Sequence, residues 1–260
     1  NHCFKMLNFK NTTIAYIAIL LLLLVGSLFF YFSGWVFFYV IISYLIIIIF
    51  GSFWMKFRFF VPTFTANKTT NKPYVALTFD DGPHPVYTEQ VLVLLRKYQI
   101  RATFFCIGKN IERYPDIFKK IVEEGHTIGN HSYSHKNTIG FNGTKCWINE
   151  LEQTDTLIES FGVKKPTYFR PPFGVTSPHL AKAISFTSHT VIGWSIRPYD
   201  TSIKHKWAIL RHIKRKLKPG SVVLLHDTHT RIPFILERLL LFLHENNYKA
   251  VTINRLLDEK

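Results

Sequence analysis

From Asn11 to Met55 the chain carries no Asp, Glu, Lys or Arg. That stretch divides into an apolar run over 14–32, a break at Ser33-Gly34 and a second apolar run over 35–54. A helix needs about 20 residues to cross the hydrocarbon core of a bilayer, and each run is long enough. A secretory leader has an apolar region of only about 7–15 residues and then a small-residue cleavage site, which neither run offers. Nor does either run supply the polar face of a helix packed on a soluble core. The pattern predicts two transmembrane helices forming a hairpin, with Trp35, Trp54 and their aromatic neighbours at the interfaces.

Beyond the spans the period changes. Residues 59–72 mix Thr, Asn, Lys and Pro without clear period and read as a linker, so a domain boundary is expected near Pro73. From there β-rich runs at 74–79, 102–107, 127–129, 167–170, 190–193, 221–225 and 249–251 alternate with helical runs. The helical spacing recurs at 86–98, 115–124, 146–161, 177–184, 204–217 and 233–246, with Gly125, Gly162 and Pro219-Gly220 at helix ends. Such alternation builds a parallel sheet covered by helices. The expected fold class is α/β, a small distorted (β/α)7-type barrel, with a doubly wound open sheet as the alternative. The expected division is a membrane anchor over 1–58, a linker over 59–72 and a catalytic domain over 73–260.

Charge adds a direction. The formal net charge is +15, no acidic residue occurs before Asp80, and Lys5, Lys10, Lys56 and Arg58 flank the two apolar runs. By the positive-inside tendency those flanks put both ends of the hairpin in the cytoplasm and Ser33-Gly34 outside. The surplus suits anionic lipid or an anionic polymer. The basic residues are scattered among helical segments and no nucleic-acid-binding motif is present, so no nucleic acid partner is expected. Cys3, Cys106 and Cys146 show no CxxC spacing, and Cys106, in an apolar run, reads as a buried thiol.

Two motifs carry the chemistry. Thr78-Phe-Asp-Asp-Gly-Pro83 follows a predicted strand, and Gly82 and Pro83 turn the chain just after two adjacent carboxylates. One carboxylate can ligate a cation while the other stays free to take a proton from water. His131-Ser-Tyr-Ser-His135 places two histidines at i and i+4, which a helical turn would bring to one face. With one carboxylate they make a two-His, one-carboxylate donor set that leaves positions open for water and substrate. Taken alone, Asp80-Asp81 also fits an ordinary capped turn, and a single histidine would be a packing residue.

In this order and spacing, the two motifs resemble the first two of the polysaccharide deacetylases, the NodB-homology enzymes of carbohydrate esterase family 4. Arg170-Pro-Pro-Phe-Gly174 resembles the third motif, Trp194-Ser-Ile-Arg-Pro-Tyr-Asp200 the fourth and Leu224-Leu-His-Asp227 the fifth. The likeness spans 73–258 and leaves the apolar hairpin outside. Independently of it, all five motifs fall at the C-terminal ends of predicted strands, where barrel enzymes assemble their sites.

The resemblance implies a metal triad of Asp81, His131 and His135, with zinc expected and cobalt, nickel or manganese as alternatives. It implies Asp80 as the base, paired with Arg170, and His226 as the general acid, oriented and kept protonated by Asp200. Phe173 would give a backbone N–H to the oxyanion, where the family usually has Tyr, and Trp194 and Leu224 would line the acetyl pocket. The activity implied is hydrolysis of N-acetyl groups on N-acetylglucosamine residues of peptidoglycan or chitin-like oligomers. A bacterial inner-membrane protein with two spans is the expected setting.

The fourth motif departs from the pattern, with Arg197 where the family commonly has Asp and Thr201 where it has Trp. An altered grip on substrate is the expected consequence. His84, His179, His189, His229 and His244 have no matched partner and read as surface or packing residues. Two other functions stay open: an amidohydrolase acting on a small non-sugar amide, and a catalytically silent glycan-binding membrane protein. The side of the membrane also stays open, because cell-wall glycans lie opposite to where the flanking charges put the domain.

Overall fold

The computed structural model describes residues 8–259; Cys3 and Lys5 lie outside them. Two helices lead the described residues, α1 (Phe9–Gly26) and α2 (Gly34–Phe53), both long and apolar enough to cross a membrane. At 1.5 Å per residue they measure about 27 and 30 Å. Leu22, Leu24, Ile46 and Ile49 are exposed along them, unlike the side chains of a core helix. Their hydroxyl groups pair across the hairpin, Thr13 with Tyr44 at 2.9 Å and Tyr16 with Ser43 at 3.0 Å. In an apolar surrounding, such bonds fix how two helices face each other.

The first helix lies earlier than the run at 14–32 predicts. The Asn8 side chain caps it by accepting from the Asn11 N–H at 2.9 Å. It stops at Gly26, where the Phe32 ring folds back over the glycine. Hydropathy counts the apolar turn residues after Gly26 as helix, whereas glycine and the turn end it there.

A parallel sheet follows: β1 (Thr63–Phe64), β2 (Tyr74–Asp80), β3 (Thr103–Cys106), β4 (Thr127–Asn130), β5 (Tyr168–Phe169), β6 (Thr190–Ile192), β7 (Val222–His226) and β8 (Lys249–Val251). The spatial order is β1-β6-β5-β4-β3-β2-β7, with β8 against the start of β2. The sheet curls into an incomplete barrel, and an Ile196–Val223 bridge brings the chain beyond β6 to β7. Helices α3 (Tyr87–Lys97), α4 (Gly108–Arg113) and α5 (Pro115–Glu123) cover it in sequence order.

 The sixth helix, α6, runs Thr144–Glu159, and α7 (Pro178–Thr187), α8 (Lys206–Lys216), α9 (Ile232–Glu245) and α10 (Ile253–Asp258) complete the cover. Strands buried on both faces need near-continuous apolar runs. Val75, Ala76, Leu77 and Phe79 supply one in β2, and Val222–Leu225 another in β7.

All seven predicted strands are present, and β1 is additional: it lies inside the expected linker and pairs with β6. Phe59, Val61, Thr63, Thr65 and Asn67 are buried in alternation. Thr and Asn on the inner face hide that period from a count of apolar positions. The Asn67 amide donates to the carbonyls of Leu256 at 2.9 Å and Glu259 at 2.6 Å, tying this segment to the C-terminal helix. The packed domain thus begins well before Pro73.

The hairpin is seated directly on that domain. Met55 is buried in one cluster with Val61, Trp147, Phe169 and Val191, against which Trp194 packs. The Thr176 N–H donates to the Ser52 carbonyl at 2.9 Å. The Phe59 ring lies so close over Gly51 that a Cβ there would overlap it. Gly51→Val is expected to lower stability by about 1–3 kcal/mol through overpacking, read as a fall in the thermal midpoint of the detergent-solubilised full chain. An unchanged midpoint would mean that the hairpin is not seated there.

Candidate active site

Asp80 closes β2 and is buried, while Asp81 follows at φ 73, in the left-handed region. This backbone turn separates the two neighbouring carboxylates, one toward the barrel centre and one toward the rim. The Arg170 guanidinium donates to Asp80 Oδ1 at 2.6 Å and to the Thr78 hydroxyl at 2.8 Å. It also donates to the carbonyls of Ile192 at 3.1 Å and Gly193 at 2.9 Å, and lies over the Phe105 ring at 4.1 Å. Arg170 is wholly buried.

Asp81 reaches the two motif histidines. Its Oδ1 lies 3.3 Å from the Nε2 of His131 and 3.3 Å from that of His135. The donor atoms of Asp81, His131 and His135 all lie within 4.8 Å of one another. His131 Nδ1 is 2.7 Å from the Arg170 carbonyl, which can only accept, so a proton sits on Nδ1 and Nε2 is the nitrogen left to face the cluster. A histidine fixed in this way is a prepared metal ligand. Two imidazole nitrogens and a carboxylate oxygen are donors that suit zinc and its neighbours in the transition series. The residues therefore fit a divalent cation.

Electrostatics agree with that use. Burial raises the Asp81 carboxyl, but the hydrogen bond and charge of His131, with His226 and His135 behind it, outweigh burial and hold it below the usual carboxylate range. Burial and the neighbouring His131 pull His135 down to about 4, leaving it neutral at ordinary pH.

The histidine pair is not on a helix. Ser132 and His135 both have positive φ, 65 and 47, and the chain from 131 to 135 is an irregular loop after β4. Side chains hold it in that form. The Asn130 carbonyl oxygen of the side chain accepts from the Ser132 N–H at 2.8 Å. One Glu150 oxygen accepts from the N–H groups of Tyr133 at 3.0 Å and Ser134 at 2.7 Å, and the other accepts from the Ser134 hydroxyl at 2.6 Å. Glu150 on α6 escaped the sequence reading, since nothing in its local spacing links it to a loop 16 residues away.

On the other side of the triad stands His226, the last residue of β7, with Nε2 4.0 Å from Asp81 Oδ2. Its Nδ1 is 2.9 Å from Asp200 Oδ1, and its N–H donates to Asp200 Oδ2 at 2.9 Å. Burial opposes its charge, but the Asp200 carboxylate prevails and raises His226 to about 9. Asp200, wholly buried, is pushed up by burial and pulled further down by His226 and His229. His229 Nε2 lies 3.1 Å from Asp200 Oδ2, which corrects the reading of that histidine as partnerless. His189 likewise has a partner, the buried Asp155 at 3.2 Å.

The remaining candidates frame the opening. Phe173 sits at φ 59, exposed, with its ring 4.7 Å from that of His135. Trp194 is half-buried, and Leu224 is buried within β7. Arg197 and Tyr199 are exposed beside them.

Comparison with known proteins fits this geometry. The polysaccharide deacetylase family profile matches residues 67–192. A peptidoglycan-N-acetylglucosamine deacetylase of Bacillus cereus is 35% identical over 195 residues, covering 73% of this chain and 91% of that protein. The chain belongs to the polysaccharide deacetylase family. A chitooligosaccharide deacetylase of Azorhizobium caulinodans is 32% identical, over 62% of this chain and 77% of that one. The solved structure of peptidoglycan deacetylase PdaC from Bacillus subtilis superposes with a TM-score of 0.68 at 31% identity, covering 72% of this chain and 91% of that one. A pseudoenzyme of the same family from Bacillus anthracis superposes with a TM-score of 0.71 at 29% identity, covering 76% and 70%. Some relatives are longer: the chain spans 40% of the full-length Bacillus subtilis peptidoglycan-N-acetylmuramic acid deacetylase PdaC.

Glu150→Ala removes the acceptor for two backbone N–H groups of the histidine loop. It is expected to weaken zinc binding about 10–100-fold, as loss of support behind a ligand does. Chelator competition on the full chain measures this, and undiminished affinity in a folded variant would show the loop to be held by other contacts.

Proposed function

We propose that this polysaccharide deacetylase removes N-acetyl groups from N-acetylglucosamine-type sugars in a metal-dependent hydrolysis, held at a membrane by its hairpin. The observation that carries the reading is the pair of opposed proton carriers around one donor cluster. Asp80, paired with Arg170, has Oδ2 3.9 Å from His131 Nε2, and His226, raised to about 9 by Asp200, lies across the triad near Asp81. An acid and a base kept in opposite charge states on either side of one point are what amide hydrolysis requires.

Asp80 takes a proton from the attacking water, whose oxygen bonds to the acetyl carbon. The Phe173 N–H donates to the oxygen that gains charge there. His226 gives its proton to the sugar nitrogen as the C–N bond breaks, releasing acetate and a free amine. A divalent cation held by Asp81, His131 and His135, zinc by default, supplies Lewis-acid polarisation of the acetyl carbonyl. Trp194 and Leu224 line the space for the methyl group. Retention of both proton carriers and all three donors favours this over a silent glycan binder.

Two features support the anchor over a cleaved leader. The hairpin's long apolar faces are exposed, and its end supplies the Ser52 carbonyl and the buried Met55 to the domain. A cleaved leader would carry away part of the core.

Acetate release from chitooligosaccharides should be abolished in His131→Ala, and a wild-type protein that binds these glycans but frees no acetate would overturn the reading. The pH profile carries a sign. The acid form of His226 exists below its raised value of about 9 and is lost above it, so kcat should fall on an alkaline limb. Asp200→Asn removes the raising charge and should move that limb toward the ordinary histidine value of 6.5. A limb that stays in place would show that another group is the acid.

A further inference from the structure

The hairpin does not merely tether the domain, because its end is built into the rim of the candidate site. The Ser52 carbonyl at the end of α2 accepts from Thr176, three residues after Phe173, whose ring packs on His135. Lys56 Nζ donates to the Ser195 carbonyl at 3.1 Å, beside Trp194. Met55 lies between Gly174 and Gly193, one glycine in each of the loops that follow β5 and β6. A single loop therefore separates the end of a membrane-length helix from a triad histidine.

That rim has the composition of a membrane interface. Phe53, Trp54, Phe141, Phe173 and Tyr199 are exposed, Phe141 at 92%. Phe141 belongs here because the adjacent Gly140 backs onto Val175, next to Thr176. Large exposed aromatic rings at the end of an apolar helix suit the headgroup layer. The rim is also cationic. Arg197 is exposed and lies over the rings of Trp194 at 5.4 Å and Tyr199 at 5.3 Å. With Lys56 it puts two positive charges beside the loops that frame the acetyl pocket.

The connection leaves no slack. Between the end of α2 at Phe53 and the start of β1 at Thr63, the residues Met55, Phe59 and Val61 are buried. A domain on a flexible linker could reach a polymer away from the bilayer. This one holds its catalytic rim at the headgroup layer.

We propose that the physiological substrate is a lipid-linked N-acetylamino sugar, presented in the headgroup layer through a phosphate or diphosphate linkage that Arg197 and Lys56 contact. The proposal rests on the deacetylase reading above and names its substrate class. The position that carries Asp in much of the family carries the opposite charge here, at the rim where a linking phosphate would lie. The leaflet follows from the flanking cations, since Lys10, Lys56 and Arg58 favour the cytoplasmic face.

The full chain in phospholipid vesicles is to be assayed for acetate release from three probes: a polyprenyl-diphosphate N-acetylglucosamine, neutral dodecyl N-acetylglucosaminide, and soluble chitotetraose. The expected order of kcat/KM is diphosphate lipid, neutral lipid, chitotetraose, with about tenfold or more between first and last, the scale of one charge-assisted contact. Arg197→Asp should narrow the preference for diphosphate over neutral lipid about tenfold on the same scale, chiefly through KM. Chitotetraose turned over as well as either lipid, equal turnover of the two lipids, or an unchanged preference in Arg197→Asp would overturn the lipid-phosphate substrate and leave the deacetylase reading standing. No acetate from any probe would overturn the deacetylase reading itself, and this one with it.

Discussion

The buried guanidinium of Arg170 is the contact on which the site depends. It binds Asp80 and Thr78 on β2 and the carbonyls of Ile192 and Gly193 at the end of β6, from its own position just after β5. Its carbonyl receives His131 from the loop after β4. One residue thus sets the distance between Asp80 and His131. A fully buried cation survives only when its donors are matched, and breaking such a pair costs about 3–5 kcal/mol. The pair is weak evidence for stability, because desolvation offsets much of the attraction. What it provides is a defined geometry, with Asp80 Oδ1 held 2.6 Å from the Arg170 guanidinium.

A second ion pair repeats the logic with the charges exchanged. Asp200 is the buried partner, and His226, proposed above as the acid, is the partly exposed one. Asp200 is in turn supported by His229, and Arg231 donates to its carbonyl at 2.9 Å. Behind both sits Asp227, buried against Thr88 and raised by burial to about 7, so that it adds less negative charge near the Asp80-Asp81 turn than an ordinary carboxylate would. Each of the two groups proposed as proton carriers is thereby held by one dominant partner, Asp80 by Arg170 and His226 by Asp200.

How far the chain could be read in advance follows from where each constraint lives. Strands buried on both faces announce themselves as apolar runs, so β2, β3 and β7 were legible in this way, and the five motifs stood at strand ends. The triad was legible because Asp81, His131 and His135 lie in short local patterns. Their means of support was not. Glu150 and His229 act across gaps with no sequence period, and the positive φ at Ser132 and His135 falls on residues that give no glycine signal. The i and i+4 spacing suggested a helical turn, and the loop brings the same two rings together, 4.9 Å apart, by another backbone route. β1 was hidden because its buried positions include Thr and Asn, whose hydrogen bonds, not apolar area, justify their place inside.

The hairpin changes what kind of catalytic site this is. Met55 belongs to the same buried cluster as Phe169, which precedes Arg170, so the end of the second helix and the arginine that organises the site share one packed core. Packed cores transmit displacement because they have few voids to absorb it. If the hairpin spans a bilayer as proposed, the position of that bilayer and the position of the rim are one structural variable. On this view the tension between cationic flanks and an extracellular glycan comes from treating the anchor as a leash for a soluble enzyme. In the proposed arrangement a rim at headgroup depth selects by depth first, and a sugar carried on a lipid of the cytoplasmic leaflet satisfies that condition, whereas a polymer lying away from the membrane does not.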